Sequence, residues 1–126
     1  MSLNVLIVDD SAVMRSMVLR TLQMTELDVG EVYQAANGQE GLTALGQYEI
    51  DLAIVDINMP VMDGEEMIQR ARQDPQTAGV PIMIISTEGS QTRISRLIQR
   101  GVRFVHKPFT PETVCDVVAD LAGDGA

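Results

Sequence analysis

A chain of 126 residues, 45% hydrophobic and only 3% aromatic, is long enough for one domain, too short for two ordinary ones, and must fill its core with aliphatic side chains and methionines. Its net charge of −9 and isoelectric point of about 4.3 repel phosphate backbones and argue against direct nucleic-acid binding. A single cysteine, Cys115, cannot close a disulfide within the chain, and the N-terminal apolar run is too short for a bilayer span or a secretory leader; a cytoplasmic protein without membrane insertion is expected.

Leu3 to Val8 is an apolar, β-branched run that ends abruptly in Asp9-Asp10. Ser11 can cap a following helix with an apolar face of Val13, Met14, Met17, Val18 and Leu22. Glu31 to Ala35 reads as a second, shorter strand, followed by Asn37-Gly38 and a helix through Leu42 and Leu45. Leu52 to Val55 is a third apolar run, closed by Asp56. Pro60 and Gly64 make the stretch from Ile57 to Gly64 a loop.

A helix through Met67 and Ile68 follows, then a breaker-rich segment from Asp74 to Val80. Ile82 to Ile85 reads as a fourth strand, ending at Ser86. Ile94, Leu97 and Ile98 mark a fourth helix that Gly101 can terminate. Val102 to Val105 is a fifth strand, ending at His106-Lys107-Pro108. Thr110 caps a last helix with Pro111 at its first position and Val114, Val117, Val118 and Leu121 as its stripe. The small residues of 122–126 read as a short flexible tail after a domain spanning 1–121.

Strands that are apolar nearly throughout, each alternating with a helix, point to an α/β domain: a parallel sheet with helices on both faces. Ligands of such sheets bind outside the carboxyl ends of the strands, where strand order reverses. Asp9, Asp10, Asp56, Ser86 and Lys107 all stand at those ends. In the order 2-1-3-4-5, strands one and three are neighbours, and Asp9, Asp10 and Asp56 share one crevice. Three packed carboxylates repel one another without a cation, and an all-oxygen donor set selects a hard ion such as Mg2+. A backbone oxygen of the Asn58 loop can add a further ligand. Lys107 is the only lysine of the chain, a compact ammonium suited to a phosphoryl oxygen, with Ser86 able to donate beside it. Taken singly, Asp9-Asp10 also fits a strand terminus with a helix cap, Asp56 a turn, and Lys107 a solvated side chain.

Val8-Asp9-Asp10-Ser11, Val55-Asp56 with Met59-Pro60 and Asp63-Gly64, Ile85-Ser86, and Lys107-Pro108-Phe109 together resemble the receiver domains of bacterial two-component response regulators, of the stand-alone chemotaxis type. The resemblance runs from about Leu3 to Leu121 and implies a flavodoxin-like, doubly wound five-stranded sheet with about five helices on both faces. It implies that Asp56 accepts a phosphoryl group from a histidine kinase or phosphotransfer protein. It further implies that Asp10, Asp56 and the Asn58 carbonyl ligate Mg2+ directly, with Asp9 acting through a coordinated water. Lys107 would pair with the phosphoryl group, Ser86 would swing in to bond it, and Phe104 would move inward as the aromatic switch.

Against the family it resembles, the chain departs at Phe104, which offers no hydroxyl to a partner, and at Thr87, which adds bulk beside the site; the resemblance also implies that Asn58 and Glu88 stand at variable positions that tune hydrolysis through water access. Arg93, Arg96 and Arg100 share one side of the fourth helix, while Glu112, Asp116 and Asp120 line the last. These charges read either as two solvated faces or as a partner surface built from helix four, strand five and helix five.

On this reading the protein is a signalling switch and not an enzyme in the usual sense. Other classes fit less well. An Mg2+-dependent phosphatase or phosphotransferase using an aspartyl phosphate carries a second aspartate where Asn58 stands. A flavin carrier has small hydroxyl and glycine residues where Asp9-Asp10-Ser11 stands. A phosphorylation-independent binding module has no need of the full acidic set. The absence of an output domain fits a free-standing regulator or a piece of a longer protein.

Overall fold

The computed structural model describes residues 2–124, with side chains described through Leu121. Five strands, β1 (Leu3–Val8), β2 (Val29–Ala35), β3 (Leu52–Val55), β4 (Ile82–Ser86) and β5 (Arg103–His106), alternate with five helices, α1 (Ala12–Gln23), α2 (Gly38–Gln47), α3 (Gly64–Gln73), α4 (Gln91–Ile98) and α5 (Pro111–Asp124). The strands form one parallel sheet in the order β2-β1-β3-β4-β5, the doubly wound arrangement expected. Strand β2 starts two residues earlier than its sequence pattern indicated, and β5 is displaced by one. The tail expected over 122–126 falls largely outside the described residues, although the backbone of α5 runs to Asp124.

Alternate residues of each inner strand enter different cores. Leu6, Val8, Ala53, Val55, Ile82 and Ile84 pack with Leu45, Met67, Ile68 and Leu97 of α2, α3 and α4. Val5, Ile7, Leu52, Ile54, Met83 and Ile85 pack with Val18, Leu22, Val114 and Val118 of α1 and α5. Both faces are therefore covered, which is why these strands read as continuous apolar runs.

Local chemistry sets the helix starts. Ser11, Asn37, Asp63 and Ser90 each accept a hydrogen bond from the backbone N–H three residues on, satisfying donors that the first turn leaves open. Thr110 does the same for Thr113 at 3.2 Å. Gly101 takes φ 81° just past α4, a conformation that glycine adopts without steric cost.

Two expectations about α1 need correction. Val13 and Met17, both assigned to the apolar face, are 72% and 50% exposed. The residues that face the sheet are Val18 and Leu22, four apart. Val13 precedes Val18 by five residues and so lies roughly 140° around the helix from it. Met14 does pack against the core, and with Met17 it lines a hollow of about 390 Å³ beside Thr21, Thr87, Lys107, Pro108 and Phe109. Ile98, at the end of α4, is likewise half exposed.

Candidate phosphoryl and cation site

The strand register builds the site. Val8 of β1 pairs with Ala35 on one side and with Val55 on the other, so β1 and β3 end level at the point where strand order reverses. Asp9 and Asp56 are the next residues of each strand. Their own amides continue the ladder, Asp9 N–H to Ala35 O at 3.1 Å and Asp56 N–H to Val8 O at 2.9 Å. This anchoring places the carboxyl groups side by side.

One carboxylate oxygen from each of Asp9, Asp10 and Asp56 lies within 4.8 Å of the other two. Asp9 is buried, Asp56 partly buried and Asp10 exposed, so the cluster opens toward solvent at Asp10. Lys107 reaches in from the end of β5: its Nζ stands 3.6 Å from Asp9 Oδ2 and 3.7 Å from Asp56 Oδ2. Both separations are too long for direct hydrogen bonds, so the ammonium acts here as a nearby charge. Asp9 Oδ1 accepts from Ser11 N–H at 2.9 Å, and Asp56 Oδ1 from Ile57 N–H at 2.8 Å. The Oδ2 atoms face the lysine.

Burial pushes the Asp9 carboxyl above its ordinary range, and the charges of Asp56 and Asp10 push the same way, against the Ser11 amide and Lys107. Three acids against one ammonium leave an excess of negative charge in a part-buried crevice. Oxygen-only donors, crowded carboxylates and an open side are the chemistry of a hard divalent cation, and the residues fit Mg2+.

Ser86 is fully buried at the end of β4. Its Oγ accepts from Glu88 N–H at 3.2 Å, while its carbonyl accepts from Lys107 N–H at 2.9 Å. Ser86 therefore touches the backbone that carries Lys107. Phe104, half-buried on β5, packs against the core under α2, α3 and α4. It also lies against His106, two residues on and on the same strand face, with ring centroids 4.6 Å apart and planes tilted by 58°.

Asn58 is exposed, and its side chain accepts from Arg93 Nη1 at 3.2 Å. That contact belongs to a network the sequence did not reveal. Arg93 donates to Glu65 Oε1 at 3.0 Å, Glu88 Oε1 at 3.0 Å and Asp63 Oδ2 at 3.1 Å, and Arg96 Nε adds a bond to Glu65 Oε2 at 3.0 Å. The reading of Arg93, Arg96 and Arg100 as one solvated or partner-facing side of the fourth helix needs correction at Arg93, which turns inward to Asp63 and Glu65, while Arg96 pairs with Glu65 but stays exposed, as does Arg100. The acidic face of α5 stays exposed, with Asp120 pairing Arg103 at 3.1 Å.

The network predicts an acid sensitivity. Arg96 first, then Arg93, holds Glu65 below its ordinary value. The Ser90 amide first, then Arg93, does the same for Glu88. Folded-state values below the unfolded ones mean stability that is complete above the unfolded pKa and lost as pH falls through the folded one. Asp9, shifted the other way, is relieved by acid. The urea midpoint of the wild type should therefore fall more steeply between about pH 5 and about pH 3 than that of Glu65→Gln/Glu88→Gln; parallel curves would contradict it.

The loop from Ile57 to Asp63 is shaped by close backbone approaches. Gly64 N–H donates to Ile57 O at 2.7 Å, and Gly38 N–H to Met62 O at 2.9 Å. Val61, 83% exposed, sits at φ 70° in a tight turn closed by Met62 N–H to Pro60 O at 2.7 Å. A β-branched residue is strained there. The burial of Met62 is what this turn secures.

Residues 5–119 match the family model described as the response regulator receiver domain. A chemotaxis protein CheY homolog of Campylobacter jejuni is 32% identical over 98% of this chain and 95% of its own length. The chemotaxis protein CheY1 of Helicobacter pylori is 32% identical over 96% and 98%. Among solved structures, the chemotaxis response regulator CheY4 of Vibrio cholerae superposes with a TM-score of 0.83 at 35% identity, covering 96% of this chain and 99% of that one. With strand order, site geometry and family match in agreement, this chain belongs to the response regulator receiver domains, of the CheY type.

Proposed function

We propose that Asp56 accepts a phosphoryl group from a histidine kinase or phosphotransfer protein, and that the resulting acyl phosphate switches the surface this domain shows its target. One observation carries the reading: three carboxylates lie within 4.8 Å of one another, and two of them, Asp9 and Asp56, face a single ammonium at 3.6 and 3.7 Å. Such a crevice is overcharged without a cation and balanced with one. Asp9, Asp10, Asp56 and the Asn58 carbonyl would hold Mg2+, which when bound would neutralise charge on the entering phosphoryl oxygens.

The chain's own residues supply the rest. Asp56 Oδ2 is free of backbone bonds and stands nearer Lys107, so it is the oxygen best placed to attack phosphorus. Lys107 then sits opposite the new anion. Phosphorylation adds roughly −1.5 to −2 charge and strong acceptors. The Ser86 hydroxyl, whose oxygen accepts from Glu88 N–H while its own proton is free to donate, can answer them by swinging toward the phosphoryl group, a movement that would loosen the loop after β4. Phe104, partly buried under α4, can follow into the released space. The two arrangements differ in contacts to the phosphoryl group, as a switch requires.

The readout surface would be α4, β5 and α5, where Phe104, exposed Ile98 and the acidic face of α5 meet solvent. The protein would act in the cytoplasm as a switch with autocatalysed uptake and loss of phosphate. Among the described residues, no helix is long and apolar enough to cross a membrane.

The test is incubation with Mg2+ and a small phosphodonor, followed by intact-mass measurement. A phosphate adduct should form on the wild type and not on Asp56→Asn, and chelating the metal should prevent it. An adduct on both proteins, or on neither, would overturn the assignment.

A further inference from the structure

We propose, resting on the reading of Asp56 as phospho-acceptor, that Arg93 is a positioning residue that closes the rim between the loops after β3 and β4 and slows water's approach to a phosphoryl group on Asp56. The bridge is direct. A single nitrogen, Nη1, donates both to Asn58 Oδ1 at 3.2 Å and to Glu88 Oε1 at 3.0 Å. Asn58 lies two residues after Asp56, and Glu88 two residues after Ser86. The Glu88 amide also touches the Ser86 hydroxyl, so whatever fixes Glu88 acts one bond away from the site.

Asn58 Oδ1 and Glu88 Oε1 are both acceptors. With the Asn58 amide turned this way, the donor that joins them is Arg93 Nη1. Arg93 holds this position because its other nitrogens are anchored on α3: Nε on Glu65 and Nη2 on Asp63 at 3.0 and 3.1 Å. Its side chain is 21% exposed and that of Glu88 16%, so the bridge is largely shielded from solvent competition. A planar guanidinium with several fixed donors can span four acceptors at once; an ammonium cannot hold the same fork. Because Arg93 belongs to α4, the rim is also tied to the helix that follows the loop proposed to loosen when Ser86 moves.

The experiment follows the decay of the adduct by intact mass after removal of Mg2+-supported small phosphodonor. It compares wild type, Arg93→Ala, Arg93→Lys, Asn58→Ala/Glu88→Ala and the triple variant, each checked for cooperative melting. Arg93→Ala should lose phosphate about tenfold faster, the order expected from one charge-assisted hydrogen bond, and Arg93→Lys should recover part of the lifetime. In the Asn58→Ala/Glu88→Ala background, removing Arg93 should change nothing further. A general packing role for Arg93 would leave its effect undiminished in that background, and that result overturns the proposal. So do equal lifetimes in wild type and Arg93→Ala. Should Arg93→Ala fail to fold, Asn58→Ala/Glu88→Ala breaks the same bridge, and an unaltered lifetime there is equally decisive. No adduct on wild type would remove the Asp56 reading and the proposal together; an adduct with unaltered decay would remove the proposal alone.

Discussion

Gly64→Ala is expected to cost the fold roughly 2–4 kcal/mol, at the upper end of what overpacking does, and to disable phosphoryl uptake with it. A Cβ at this position would overlap the carbonyl oxygen of Asp56 and stand 2.9 Å from Ile57 Cα and 3.0 Å from Asp56 C. These are backbone atoms, so no rotamer change relieves the clash. The peptide of Asp56 cannot simply retreat, because its N–H is bonded to Val8 O within the sheet. Gly64 is also held from its own side by the bond to Ile57 O. Either α3 shifts away from the sheet or Asp56 leaves its place beside Asp9.

Urea unfolding and the phosphodonor assay together check this result. Gly46→Ala is the control: a Cβ there meets nothing within 4 Å, and replacing a glycine inside α2 should stabilise by about 0.5–1 kcal/mol. A wild-type midpoint for Gly64→Ala would contradict the close approach on which the site's loop depends.

Asp56→Asn should melt at a higher temperature than the wild type in metal-free buffer, although it destroys the phosphoryl site. Asp9, Asp10 and Asp56 bring carboxylate oxygens within 4.8 Å of one another and repel, and Lys107 alone cannot balance them. Replacing one carboxylate by an amide keeps the acceptor for Ile57 N–H and removes a charge. It forfeits some attraction to Lys107, which keeps Asp9 at 3.6 Å. The net gain should be about 1 kcal/mol, or a few degrees for a domain of this size.

Magnesium should reverse the order. At ten times its dissociation constant a bound ion adds about 1.4 kcal/mol to the state that holds it, and the variant, short of one ligand, should gain much less. Melting both proteins with and without the metal decides the matter. If both respond equally to magnesium, these three residues do not form its site.

The ends of β1, β3, β4 and β5 were legible in the residues because each apolar strand stops at a polar one. The register of a parallel sheet then brings those stops to one edge. Asp9, Asp10, Asp56, Ser86 and Lys107 could therefore be assembled from strand order alone. The helix starts at Ser11 and Thr110 were equally plain, since a capping oxygen acts on an amide three residues away and needs nothing from the rest of the chain.

What only the tertiary structure decided is the part that depends on packing between elements distant in sequence. Helical spacing marked Val13 and Met17 as apolar, but which side of α1 meets the sheet is set by α5 and the strands. The arginines of α4 looked like a free face because their partners, Asp63 and Glu65, lie about thirty residues earlier, across a contact no local pattern encodes. The carboxylate crevice followed from where strands end. The clamp of Arg93 beside it, and the closeness of Gly64 to the Asp56 carbonyl, followed from how the helices come to rest on the sheet.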